Sequence, residues 1–463
     1  MSTIFSDTIA AISTPTAQSG KGSGLGVIRL SGDSSVKIAD RIFCPAKKDV
    51  KLADLGGYTA LYGYILDGGD MVDECVALVF KAPHSFTGED VVELSCHGGS
   101  YILGKILRIV FENGARPAEA GEFTRRAFLH GKVDLTKAEA IMDLIGAKGE
   151  LAAKAAISTR KGAVSEKVRQ ICDLLLGVSA QFLAFVDYPD DDIPELADDE
   201  LLNVLEKSRA ELSTLLATFD QGRILKEGVS AAIVGRPNVG KSTLMNLLSR
   251  TDRSIVTNIE GTTRDVVEET VLLGDIFLNL SDTAGLRDTD DVVEQIGVQR
   301  SKKAMDSAEL IIAVFDASKP LNDDDFDLIR NLKDKRCIAV INKCDLEKNI
   351  DEKYIFNAFE NVVVLSAQND DDALKLEDEI KKVVGIAGLD TNEPILANER
   401  QRYCVSQCKS CIDEAIFAVE SGMALDAVNV SIDSALGFLL SLTGEKVSDA
   451  VVDEVFDKFC VGK

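Results

Sequence analysis

Gly235-Arg236-Pro237-Asn238-Val239-Gly240-Lys241-Ser242 decides the reading of this chain. Its spacing, two glycines flanking four residues and then Lys-Ser, is that of a phosphate loop, which carries weight only between a strand and a helix. Both flanks are present. Val229 to Gly235 is a short apolar run suited to a buried parallel strand, and Ser242 to Leu248 has helical spacing. The glycines let backbone N–H groups turn inward on phosphate oxygens, and the helix N-terminus adds favourable partial charge. In such a loop Lys241 reaches the β and γ phosphates and Ser242 holds Mg²⁺.

Outward from the loop, short apolar runs recur at Ile276 to Ser281, Leu310 to Asp316, Cys337 to Asn342 and Val362 to Ser366. Helical segments separate them from about 228 to 385, the doubly wound α/β pattern. Each run leads to a polar element at the strand end where open parallel sheets place ligand loops. Gly261-Thr262-Thr263-Arg264-Asp265 offers a switch threonine for the metal. Asp282-Thr283-Ala284-Gly285, Asn342-Lys343-Cys344-Asp345 and Ser366-Ala367 follow in order. Asp345 is expected as a buried acceptor for the N1 and N2 hydrogens of guanine, so the site should select GTP over ATP. Leu286 stands where many small GTPases carry the glutamine that orients water, so another polar group must do that work.

The flanks differ. Residues 1 to about 130 read as mixed α/β, with a strand at Gly26 to Leu30, a strand pair at Tyr58 to Leu66 and Glu74 to Phe80, and a helix at Tyr101 to Glu112. Lys137 to Lys148, Leu151 to Val186 and Asp199 to Phe219 are Ala- and Leu-rich with helical spacing. The acidic stretch Asp187 to Pro194 reads as a solvated loop, because ligand spacing is absent. After about 390 the chain is helical again, so one α/β unit interrupts a helical region whose two halves should pack together.

The 463 residues exceed one ordinary core. No run of about 18 or more consecutive apolar residues suggests a membrane span, and the first residues lack a secretory pattern. The cytoplasm is expected, with the ten cysteines as reduced thiols. The net charge of −25 excludes nucleic-acid binding through the overall field. Residues 1 to 131 carry 13 Lys and Arg against 15 Asp and Glu, so the excess lies beyond them. Cys404, Cys408 and Cys411 have the spacing of an iron–sulfur motif, but the segment reads as a helix whose one face would carry all three as core. His84, His97 and His130 show no ligand spacing.

Taken together, these residues resemble the MnmE (TrmE) family, the GTPases of tRNA wobble-uridine modification, along essentially the whole chain. The resemblance rests on Gly26-Val-Ile-Arg29-Leu-Ser-Gly32, Ser85-Phe-Thr-Gly-Glu-Asp90, Glu93-Leu-Ser-Cys-His97-Gly-Gly99 and Gly121-Glu-Phe-Thr-Arg-Arg-Ala-Phe-Leu-His-Gly-Lys132. It also rests on the nucleotide elements and the tail Phe459-Cys460-Val461-Gly462-Lys463. It implies a multidomain α/β plus α fold. Residues 1–131 would form an N-terminal α/β domain that binds a tetrahydrofolate derivative (5-formyl- or methylene-tetrahydrofolate) and dimerises. Residues 132–227 and 386–463 would form a discontinuous helical domain, and 228–385 an inserted Ras-like P-loop GTPase domain.

Carried over by residue, the resemblance implies nucleotide contacts from Asn238, Val239, Gly240, Lys241, Ser242 and Thr243. It adds Thr257, Asn258, Ile259, Glu260, Gly261, Thr262 and Thr263 of the switch stretch, and Asp282, Thr283, Ala284 and Gly285. Asn342, Lys343, Asp345, Ser366 and Ala367 complete the set. K⁺ would be held by Asn238, Thr257, Ile259 and Thr262, and Mg²⁺ by Ser242 and Thr263. Glu294 would orient the hydrolytic water, which answers the substitution at Leu286. Arg29, Glu93, Lys132 and Lys463 match folate contacts, and Cys460 matches a cysteine needed for modification; His97 reads equally as a neighbour of that site or as core or loop packing. The implied partners are a second copy of the chain, tRNA, and the FAD-dependent flavoprotein MnmG in a heterotetramer; no membrane is implied. A ribosome-assembly GTPase would share the nucleotide motifs but carry an RNA-binding domain. A folate-dependent aminomethyl transferase would not need intact GTPase elements.

Overall fold

The computed structural model describes residues 7–15, 23–187, 197–250, 269–280 and 305–462. The chain forms two compact units. One joins Met1–Met142 to Gly437–Lys463, and the other spans Asp143–Leu436.

The first unit is built on a seven-stranded sheet in the order β3-β4-β5-β6-β2-β1-β7. Its strands are β1 (Ile9–Ile12), β2 (Gly26–Ser31), β3 (Phe43–Pro45), β4 (Thr59–Asp67), β5 (Asp70–Phe80), β6 (Val91–Cys96) and β7 (Arg116–Pro117). Alternation assigns the faces. Ile28 and Leu30 of β2 and Val92 and Leu94 of β6 are buried against helices α1 (Ser35–Ile42) and α2 (Ser100–Glu112). Arg29 and Glu93, one residue out of phase, take the opposite face and stand directly across the strand pair from each other. The same unit holds α3 (Glu122–Leu129) and the start of α4 (Leu135–Gly146).

In the second unit, the run expected as one helix from Leu151 to Val186 is two: α5 (Glu150–Lys161) and α6 (Ala163–Asp187). Gly162 separates them at φ 108°, a left-handed conformation that ends the first helix and that periodicity does not reveal. Next come α7 (Asp198–Ala217) and α8 (Phe219–Glu227), the latter beyond the predicted helix end.

A six-stranded sheet follows, ordered β13-β12-β11-β8-β10-β9. Its members are β8 (Val229–Val234), β9 (Glu269–Leu273), β10 (Ile276–Leu280), β11 (Leu310–Asp316), β12 (Cys337–Asn342) and β13 (Val362–Val364). All pairings are parallel except that of edge strand β9 with β10. Every residue of β11 and β12 is buried, as apolar runs covered on both faces require. From β8 the next two parallel strands lie on opposite sides, β10 on one and β11 on the other. That reversal opens a crevice at the carboxyl end of β8, where the phosphate loop begins.

Helices α9 (Lys241–Arg250), α10 (Asp323–Leu332), α11 (Glu352–Ala358) and α12 (Ala373–Val383) accompany this sheet. After it run α13 (Glu399–Glu420), α14 (Leu425–Thr443) and, in the first unit, α15 (Asp449–Asp457). Helix α13 packs along α7, so helical segments before and after the nucleotide sheet meet. In the first unit, Leu135 and Ala138 of α4 pack with Val452 and Phe456 of α15 and with Phe459.

Two segments, Ala163–Phe185 and Leu425–Thr443, are by length and composition long and apolar enough to cross a membrane, although charges interrupt them. Their apolar sides meet here: Val178 and Phe182 of α6 and Val428 and Ile432 of α14 line one small cavity.

Candidate functional site

The phosphate loop leaves β8 at Gly235 and enters α9 at Lys241. Lys241 Nζ donates to the carbonyls of Gly235 and Arg236, at 2.8 and 2.9 Å. Gly240 has φ 97°, and a Cβ there would stand 2.3 Å from Asn342 Nδ2. Only glycine fits that approach. Asn238 holds φ 63°, a region asparagine tolerates better than most residues. Its side chain, with those of Ser242 and Thr243, is exposed, whereas Val239 is buried.

The base-reading stretch is tied to this loop by its own first two residues. Asn342 is buried and uses both ends of its amide: Nδ2 donates to Val239 O at 2.9 Å, and Oδ1 accepts from Ala367 N at 2.9 Å. Lys343, also left-handed at φ 64°, donates from Nζ to Asn238 O and to Asp316 Oδ2, both at 2.7 Å. Burial pushes the Asp316 carboxyl up, but hydrogen bonds from Lys343 and Ser318 outweigh it and hold the group below its ordinary value. Asp372 accepts from Ser366 N at 2.8 Å and pairs with Lys375, fixing the last loop. Sequence reasoning missed Asp316 and Asp372. Asp316 ends a fully buried strand, a position that could have marked it.

Asp345, expected as a buried acceptor, is exposed. It lies in the turn beyond β12, where the chain has left the sheet, so its carboxylate faces outward. Thr257, Asn258, Ile259, Glu260, Gly261, Thr262, Thr263, Asp282, Thr283, Ala284, Gly285, Leu286, Glu294 and Lys463 lie outside the described residues, as does the acidic stretch from residue 188 to 196.

In the first unit, Arg29 and Glu93 form an ion pair at 2.8 Å with side chains 18% and 22% exposed. The guanidinium lies 5.9 and 5.7 Å from the ring centres of Phe86 and Phe123. The chain's end comes to the same place. Val461 bridges Ala120, and Gly462 O accepts from Ser13 Oγ at 3.1 Å and from Arg29 at 3.4 Å. Gly462 has φ 95°, and a Cβ would meet Ile12 O at 2.5 Å. Cys460 is exposed beside this bridge. Lys132 Nζ donates to Pro83 O at 2.8 Å. His97 accepts orientation from Asp73, at 2.6 Å from Nδ1, and that carboxylate pushes the imidazole up.

Motif residues elsewhere prove structural. Arg126 is fully buried and bonds Glu89, Asp7 and Glu122. Cys404 and Cys408 lie on the buried side of α13, while Cys411 is half-buried. Burial pushes the Cys408 thiol up.

A parallel sheet with a phosphate loop at its switch point and an Asn-Lys-x-Asp turn laid against that loop defines a P-loop GTPase. Comparison with known proteins narrows the class. The family model "MnmE helical domain" matches residues 135–460, and "GTP-binding protein TrmE N-terminus" matches 8–132. The chain is 42% identical over 462 residues to the tRNA modification GTPase MnmE of Acetivibrio thermocellus, covering 99% of each chain. It is 38% identical over 460 residues to that of Clostridioides difficile, again covering 99% of each. The G domain of the T. maritima FeoB iron transporter is a structural neighbour at 24% identity, 34% of this chain, 98% of that one and TM-score 0.26. The chain belongs to the MnmE (TrmE) family of tRNA modification GTPases. It is a GTP hydrolase, and GTP is its nucleotide.

Proposed function

We propose that this chain is a K⁺-activated GTPase that acts with the flavoprotein MnmG on tRNA. The pair adds an aminomethyl or carboxymethylaminomethyl group at C5 of the wobble uridine. The observation that carries the catalytic part is the phosphate loop: Asn238 is held left-handed by its carbonyl bond to Lys343 while its side chain is exposed. An exposed side-chain oxygen at that point of the loop suits a hard cation beside the phosphates.

Asn238, Thr257, Ile259 and Thr262 would hold K⁺, and Ser242 and Thr263 would hold Mg²⁺. When bound, the two cations neutralise charge that develops on the phosphate oxygens. Lys241 binds the β and γ phosphates, Asp345 reads the base, and Glu294 aligns water in place of the glutamine that Leu286 replaces. The loop would be completed by a second copy of the chain in a homodimer, and the protein would work in the cytoplasm.

Residues 1–131, 132–227 with 386–463, and 228–385 serve as the three functional domains of this reading. In the first, Arg29, Glu93, Lys132 and Lys463 would bind a tetrahydrofolate derivative. A polar ring and a glutamate tail call for an acid and bases, and Arg29 and Glu93 remain accessible. The docked tail supports a role for Cys460 there, as its backbone neighbours bond the residues around Arg29.

Replacement of K⁺ by Na⁺ should slow GTP hydrolysis by the intact chain. Asn238→Ala should erase that difference while leaving nucleotide binding in place. If stimulation survives in Asn238→Ala, the K⁺ reading fails. Nucleoside analysis of tRNA from a strain lacking the gene tests the wider role: unaltered wobble uridines would refute it.

A further inference from the structure

The phosphate loop has an anchor that its motif does not specify. Arg236 occupies a position where the motif constrains no residue type. Its guanidinium pairs with Asp325 Oδ2 at 3.0 Å and lies 3.5 Å from Pro320 O. The Arg236 side chain is 12% exposed, and that of Asp325 1%. Asp325 sits in the first turn of α10, where the same Oδ2 accepts from Asn322 N at 3.1 Å. Asp325 Oδ1 is buried and accepts from none of the described residues.

This pair is a poor choice for stability. A buried ion pair seldom outweighs the loss of hydration, and a buried carboxylate oxygen without a donor adds to the cost. Burial pushes the Asp325 carboxyl above its ordinary range, and neither the Asn322 N–H nor Arg236 restores it. An uncharged pair of similar volume that kept an acceptor for Asn322 N would serve the fold as well or better.

Its location supplies the reason. Among the described residues, the Arg236 carbonyl holds Lys241 Nζ together with that of Gly235. Anchoring the side chain on α10 fixes the orientation of that peptide, and the peptide fixes the ammonium. We propose that Arg236 and Asp325 are positioning residues for the nucleotide: the pair holds the loop so that Lys241 is set toward the phosphates before GTP arrives. The inference rests on the phosphate-loop reading. It adds that the site is pre-organised by a charge pair outside the motif.

The test uses the full chain, a fluorescent GDP analogue, GTP turnover and thermal unfolding. In Arg236→Met/Asp325→Asn, whose amide oxygen still accepts from Asn322 N, the unfolding temperature should stay close to that of the wild type, while affinity for the analogue falls by about tenfold or more. Arg236→Met alone should weaken binding similarly, and Arg236→Lys less, because a cation without the planar fork keeps part of the pair. Asp327→Asn breaks an exposed pair on the same helix and should leave affinity unchanged. Wild-type affinity in both Arg236→Met and the double variant overturns the proposal, as does a loss of binding in the double variant matched by a fall in its unfolding temperature. Failure of the wild-type chain to bind the analogue would instead overturn the phosphate-loop reading.

Discussion

At the scale of single residues, the nucleotide site is held by side chains facing the protein and used by side chains facing outward. Asn342 is the clearest holder: it stitches the phosphate loop to the Ser366-Ala367 loop, and these two bonds use one Nδ2 hydrogen and one Oδ1 lone pair of its amide. Lys343 does the same for Asn238 and Asp316. Asp345, two residues on, is exposed, and base discrimination is proposed for it. Asp345→Asn replaces an acceptor by a donor at one position. It should move preference from GTP toward xanthosine triphosphate without disturbing the fold, because the residue supports none of these bonds. Competition between the two nucleotides measures it, and unchanged GTP preference would remove Asp345 from the site.

At the scale of elements, ends matter as much as faces. Helix α13 is 22 residues long, and its first turn depends on Asn398, whose side chain accepts from Gln401 N at 2.8 Å. Without it an N-terminal donor loses its partner. Asn398→Ala should lower stability by about 0.5–2 kcal/mol, read as a shift in urea midpoint with unchanged slope. Since α13 packs along α7, the loss should be seen in global unfolding and not as fraying alone. The sheet strands behave differently. Leu310–Asp316 is buried throughout, so its contribution lies in packing, and large-to-small changes there cost about 2–5 kcal/mol each.

At the scale of the whole molecule, charge is the dominant variable. The net charge of −25 calls for a local basic surface or a partner if tRNA is to be held. Inside the first unit the opposite problem is solved by pairing. Arg126 and Arg116 share Asp7 and Glu122, and Arg126 also pairs with Glu89. Burial pushes Glu122 up, but Arg116, the Glu119 N–H and Arg126 outweigh it and hold the carboxyl below its ordinary value of 4.5. Such a depressed group stabilises the folded state above its unfolded value, and that contribution is lost as pH falls through the folded one. Stability from urea denaturation should therefore decline below about pH 5. Glu122→Gln should show a shallower decline and a lower plateau at neutral pH. An identical pH slope in the variant would exclude Glu122 as a source.

The parallel strands of the nucleotide sheet were legible in the sequence, but its antiparallel edge strand β9 was not. The apolar runs at Leu310 to Asp316 and Cys337 to Asn342 needed no context, because strands buried on both faces are apolar throughout. The phosphate loop was equally legible, since its backbone is set by glycines within eight residues. Only the tertiary structure decided what depends on distant register. The split at Gly162 turns on one left-handed residue inside a helical pattern. The contact of Arg29 with the tail joins residues 433 apart. The outward placement of Asp345 and the anchoring of Arg236 by Asp325 arise from how strands and helices are stacked, and no spacing along the chain encodes them. Local propensity and periodicity act over a few residues, whereas a hydrogen bond between elements exists only once packing has fixed both partners.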